Sequence, residues 1–157
     1  MKTYLLVKLG FLPAILFWSL AGAGYGRLGL VLGALVGVGL VVWNRRRGLD
    51  RPMETAFAAY LVAAAVAEPL GLLDLHAAVA LSFAVMGLTA LATCARRRPW
   101  TAAYSAAAYG GAAQTRLFFA VNFALSALWG VLFLAMAGLI LAEASPIWTT
   151  LLTVGGA

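Results

Sequence analysis

Five apolar runs, at residues 4–23, 25–44, 53–73, 75–95 and 117–141, are separated by short polar or basic stretches and constrain this chain more than any other feature. A bilayer core about 30 Å thick takes about 20 helical residues to cross, and a helix is the only open-ended segment that satisfies its own backbone hydrogen bonds in lipid. The runs therefore predict five membrane-spanning helices. Composition points the same way: 64% of the residues are apolar and 10% charged, whereas a soluble domain uses about a quarter charged residues. The expected fold class is all-α, a polytopic transmembrane helical bundle forming a single integral membrane domain over residues 1–157.

Punctuation within the runs refines this picture. Pro13, near the middle of the first run, removes one helical hydrogen bond and predicts a kink. Lys8 interrupts the N-terminal apolar stretch, which continues through Trp18 to Ala23 and reads as a retained first span rather than a signal peptide. The third run carries Glu68 and Pro69 near its far end and meets the fourth with almost no loop, so the two form a tight antiparallel hairpin. Residues 146–157 are apolar but too short to cross at 1.5 Å per residue. They are either a half-span or the start of a sixth helix.

Eleven Lys and Arg against five acids give a net charge of +6, which in a soluble protein would suggest nucleic acid. Here the positive charge sits in short loops, Arg45, Arg46, Arg47 and Arg51 after the second run and Arg96, Arg97, Arg98 and Arg116 around the segment after the fourth. That is the pattern of cytoplasmic loops, and Lys2 and Lys8 place the N-terminus on the same side. The expected location is the bacterial inner membrane, multi-pass, with no nucleic-acid partner. Arg45, Arg46, Arg47, Arg96, Arg97 and Arg98 are expected to contact anionic lipid headgroups, at about 1 kcal/mol per charge near the surface. The stretch from Arg45 to Tyr60 resembles that from Arg96 to Tyr104, which suggests a repeated hairpin unit, although three arginines before an alanine-rich helix also arise by chance. Between the fourth and fifth runs, residues 99–115 can hold a short helix on the membrane, with Trp100, Tyr104 and Tyr109 as interfacial anchors and Gly110-Gly111 ending it.

Candidate functional residues are few. Gly29, Gly33 and Gly37 share one helix face at four-residue spacing and invite close helix packing, within the protein or with a second copy. Glu68, an ionisable group inside the third run, could meet His76 across the hairpin and take up a proton or cation; Glu54 lies about four turns before it on the same face. Asn122, Ser126, Trp129, Gly130 and Phe133 form a polar and aromatic stripe on the fifth run, facing the bundle for interhelical hydrogen bonds or for a substrate. With one histidine, one cysteine, no phosphate loop and no metal-spaced cluster, no enzyme activity, cofactor or metal is expected. Cys94 reads as a small packed or lipid-facing residue.

Arg97-Arg98-Pro99-Trp100-Thr101 with Tyr104, then Arg116, Asn122 and Trp129-Gly130, resembles the intracellular septation protein A superfamily: a basic residue, Pro, an aromatic and Thr in a cytoplasmic loop, then a helix with Asn and Trp. The opening Lys8-Leu9-Gly10-Phe11-Leu12-Pro13 is similar to that family's first span. The resemblance implies a small bacterial inner-membrane protein tied to the cell envelope or division, usually with six spans. Two functions follow as expectations: a transporter-like module for a small solute or ion, using Glu68, His76, Asn122, Ser126 and Trp129, or a non-catalytic accessory or scaffold subunit of a membrane complex. A homo-oligomer or a larger complex fits either. An intramembrane enzyme lacks the residues its chemistry needs.

Overall fold

The computed structural model describes residues 2–142; Glu143 and the apolar tail 146–157 lie outside the described residues. The chain is all-helical there: α1 (Lys2–Gly22), α2 (Gly26–Arg46), α3 (Pro52–Ala67), α4 (Leu75–Ala95), α5 (Ala102–Tyr109), a 3-10 turn at Gly110–Gln114 and α6 (Arg116–Leu141). Three of these, α2, α4 and α6, are long and apolar enough to cross a membrane, and the apolar stretches Leu9–Gly22 and Pro52–Ala67 are shorter.

The helix ends follow from local chemistry. Asp74 caps α4 by accepting from the Ala77 amide at 2.7 Å, and Thr115 caps α6 by accepting from Phe118 at 3.2 Å. Pro52, with its fixed φ and missing N–H, opens α3. After α1, α2, α3 and α4 the chain stops in the same paired-bond motif, a left-handed residue whose amide and its successor's amide bond back to the last turn. Gly24, Gly48 and Gly71 serve the first three, and Arg97, at φ 55°, serves the fourth. A side chain in that conformation costs about 1 kcal/mol.

The third run departs from expectation. Its helix ends at Ala67 instead of continuing to residue 73, with Glu68 as the C-cap and a turn closed by Gly71 and Leu72 amides. Pro69 cannot donate into the helical ladder and Gly71 accepts the left-handed turn, so the helix stops there.

Packing runs through glycines. A Cβ at Gly29 would meet the Phe17 carbonyl at 3.0 Å, one at Gly33 the Pro13 carbonyl and Leu61 at 3.1 Å, and one at Gly37 Ala58 at 3.1 Å. The glycine face of α2 is thus packed between α1 and α3. At the α4–α6 crossing, Gly87 and Gly130 oppose each other, each Cβ position lying within 3.2 Å of the other's carbonyl. Phe17, Leu30, Leu61 and Met86 fill the centre, and Trp18 stacks on Phe83 at 4.3 Å while donating to Ser82 Oγ at 2.8 Å. The outward faces are apolar as well: Leu28, Val31 and Leu35 on α2 and Leu117, Leu128 and Val131 on α6 are exposed. Water covers such a surface poorly, and lipid covers it at no cost.

Candidate functional site

The helices alternate in direction, which brings the two arginine-rich loops to one end. Arg45 and Arg51 of the first loop and Arg96 of the second border the same cleft, and Arg47 and Arg51 border a small one that Leu9 and Gly10 of α1 also line. The opposite end holds Glu68 and His76. They do not pair with each other: Glu68 accepts from Arg27 Nε at 2.7 Å, and His76 Nε2 lies 2.8 Å from the Ile140 carbonyl. The reason is the early end of α3, which turns Glu68 toward the start of α2 while His76 follows α4 toward the end of α6.

The α6 stripe divides. Asn122, Ser126, Gly130 and Phe133 are buried, and Trp129 is half-buried against Phe133, ring centroids 5.6 Å apart. The polar members are bonded by the start of α5, its N-cap Thr101 and Ser105. Thr101 Oγ1 donates to the Asn122 carbonyl at 2.9 Å and lies 3.0 Å from Ser126 Oγ; Ser105 Oγ donates to Asn122 Oδ1 at 3.1 Å; Asn122 Nδ2 donates to the Phe118 carbonyl at 2.9 Å. Asn122 and His76's partner Ile140 are separated along α6 by about 27 Å at helical rise. Of the residues read together from the sequence as a substrate site, Glu68 and His76 therefore stand at one end of the bundle and Asn122 toward the other.

Trp100 and Tyr104, expected as interfacial anchors, are instead core residues, 5% and 7% exposed. Phe11 meets Trp100 edge-on at 5.9 Å and Trp100 meets Tyr104 at 5.8 Å, so α5 is sealed against α1 by aromatic packing. Tyr109 is exposed, and α5 ends there as Gly110 turns the chain at φ 52°. Cys94 is buried and packs toward the Phe123 carbonyl.

The unexpected constellation forms where α1, α2, α3 and α5 meet. Glu54, 7% exposed, accepts from Tyr104 Oη at 2.8 Å and from Asn44 Nδ2. Arg51, equally buried, places its guanidinium over the Tyr104 ring at 4.0 Å and approaches Glu54 to 4.0 Å. That separation is an ion pair without a hydrogen bond. Burial, reinforced by the Glu54 carboxylate, pushes the Tyr104 hydroxyl above its ordinary range, so it remains a donor. Gly10 gives this cluster its room: a Cβ there would strike a Glu54 carboxylate oxygen. In the sequence this cluster shows only as Arg51 and Glu54, at i and i+3 across a helix start; the partners Asn44 and Tyr104 come from other helices.

Two donors at this end are buried with no partner among the described residues, Arg51 Nη1 and Trp100 Nε1. Arg51 borders a cleft of about 510 Å³ between α2, α3 and α4, and Trp100 a second of about 370 Å³ on the other side of the Asp50–Pro52 segment. Among the described residues no group of His, Cys, Asp and Glu could hold a metal ion. Arg51 Nη1 and Trp100 Nε1 thus remain as donors without an acceptor among the described residues. Comparison with known proteins finds no match to this chain among family models, curated proteins or solved structures.

Proposed function

We propose that this chain is a five-span protein of the bacterial inner membrane, with its basic loops and N-terminus in the cytoplasm, that serves as a non-catalytic subunit or scaffold of a membrane complex. The observation that carries this reading is the fate of the polar groups inside the bundle. Asn122 and Ser126 are bonded to the start of α5, His76 faces the Ile140 carbonyl and Glu68 is held by Arg27. The four clefts described among these residues border none of Glu68, His76, Asn122 or Ser126. A transport path for a small solute or ion needs polar side chains that can trade a protein partner for a substrate, whereas a scaffold needs only that such groups be bonded within the protein.

Five spans rest on α1 and α3 crossing beside the three longer helices. Helix α3 is about 24 Å long by its 16 residues, and the turn through Leu72 extends it. The remaining mismatch is of the size that local bilayer thinning absorbs. Orientation rests on both arginine clusters lying at one end. The resemblance of residues 97–101, Tyr104 and Asn122 to the intracellular septation protein A superfamily supplies the context, an envelope or division complex.

The test is flux and topology together. Proteoliposomes containing the chain are expected to move protons and small cations no faster than empty vesicles, and Glu68→Gln is expected to change nothing. Flux that depends on Glu68 would restore the transport reading. In intact cells, Gly48→Cys is expected to resist a membrane-impermeant maleimide while Leu72→Cys reacts; the reverse pattern inverts the topology.

A further inference from the structure

We infer that the bundle thins the bilayer along one side, its α2–α3 face binding lipids with shorter acyl chains than those beside α4–α6. Apolar side chains point outward from both helices of that face, Leu28, Val31, Leu35 and Val38 from α2 and Val62 and Val66 from α3, all exposed. Hydrocarbon covers such a face only as far as the charges at its two ends allow. On α2 those charges are Arg27 and Arg45, about 27 Å apart along the helix axis, and on α3 they are Arg51 and Glu68, about 26 Å apart. The α4–α6 pair is longer. Asp74 and Arg96 bound α4 about 33 Å apart. Helix α6 crosses α4 at Gly87 and Gly130, meets its start at His76, and carries no charge between Leu117 and Leu141. The two halves therefore ask for hydrocarbon layers that differ by about 6 Å, which is the difference between a thin cellular membrane and a thick one.

Length alone would not carry this, because a long charged side chain near a helix end ordinarily reaches past a mismatch to water. Here three of the four charges on the short face are tied down. Arg27 Nε is held by Glu68 Oε1 at 2.7 Å, which joins α2 to α3 at the end opposite the basic loops. Arg51 is buried, with its guanidinium over the Tyr104 ring at 4.0 Å. With its polar edges fixed, the protein is the stiffer partner, and the bilayer thins to meet it. The two heights also face different lipids, since α2 packs on α1 and α3 while α6 packs on α4. This inference rests on the membrane-spanning reading above.

The experiment uses the full chain with Cys94→Ala, carrying a bimane fluorophore either on Val31→Cys, at the α2–α3 face, or on Leu128→Cys, on α6; both positions are exposed. The vesicles mix dimyristoleoyl- and dierucoyl-phosphatidylcholine, and brominating one lipid or the other reads by quenching which of them borders each probe. Short-chain lipid is expected to be enriched about twofold over its bulk fraction at Val31 and not at Leu128. Replacing the outer charges together, Arg27→Leu with Glu68→Leu, lengthens the apolar face and should abolish the enrichment at Val31 while leaving Leu128 unchanged. Should that double variant fail to fold, the contrast between the two probes in the otherwise unchanged chain decides. Equal enrichment at both positions would overturn the one-sided thinning, as would enrichment that survives in the double variant. Quenching at Leu128 with none at Val31 would overturn it too, by showing that a helix of another chain or a second copy covers the α2–α3 face. Absence of quenching at both positions would reject the membrane-spanning reading itself.

Discussion

Two buried polar clusters sit at the basic end of the bundle, and they differ in whether their hydrogen bonds close. Around Asn122 each described polar side chain has a protein partner: Thr101, Ser105, Ser126 and the Phe118 carbonyl account for one another. Around Glu54 the carboxylate is satisfied by Tyr104 and Asn44, yet Arg51 keeps a buried donor unmet and the neighbouring Trp100 another. A closed network holds helices in register and asks nothing of the outside. An open one, in which buried donors exceed acceptors, carries a desolvation cost that its own hydrogen bonds do not offset.

The largest test of this contrast removes the one charge that Arg51 has beside it. Glu54→Gln is expected to cost about 3–5 kcal/mol, because a buried cation loses its counter-charge and the new amide cannot accept from both Tyr104 and Asn44. Thermal unfolding of the purified chain in detergent reads this; a loss under about 1 kcal/mol would mean that Arg51 does not depend on Glu54 for its counter-charge. Gly10→Ala, a smaller intrusion, should cost about 1–3 kcal/mol in the same assay, since its Cβ must displace a carboxylate fixed by two hydrogen bonds. Wild-type stability in that variant would show that the Glu54 side chain is free to move. The smallest effect belongs to the closed cluster. A double-mutant cycle of Thr101→Val with Ser126→Ala should give a coupling of about 0.6 kcal/mol and no more than about 1.7. A coupling near zero would show that the Thr101–Ser126 contact does not close this cluster and would erase the distinction.

How much could be read beforehand varied by kind of residue. Positions of the helices were legible because apolar runs of span length and their Pro, Gly and Asp punctuation act locally: α4 runs over Leu75–Ala95 as expected, while α3 stops at Ala67 because Pro69 and Gly71 outweigh the apolar run around them. The inward face of α6 was legible from its four-residue spacing. Trp100 and Tyr104 were misplaced because an aromatic in a loop reads alike whether it anchors at an interface or fills the core. Glu54 and Glu68 share a helix face in the sequence, yet only Glu54 is enclosed by neighbouring helices, since position in a run says nothing of which helices close around it.

The amino-acid order by itself determined a helical chain rich enough in apolar surface to prefer lipid, the glycines that permit close crossings, and two basic loops that alternate helices bring to one end. These follow from periodicity, hydropathy and backbone freedom within each segment. Tertiary structure alone decided which polar groups meet. Arg27 took Glu68, Ile140 took His76, and Glu54 drew partners from α2 and α5. Hydrogen bonds and ion pairs act only over a few ångströms, and the separations between these residues are set by how the helices pack, which no single segment encodes.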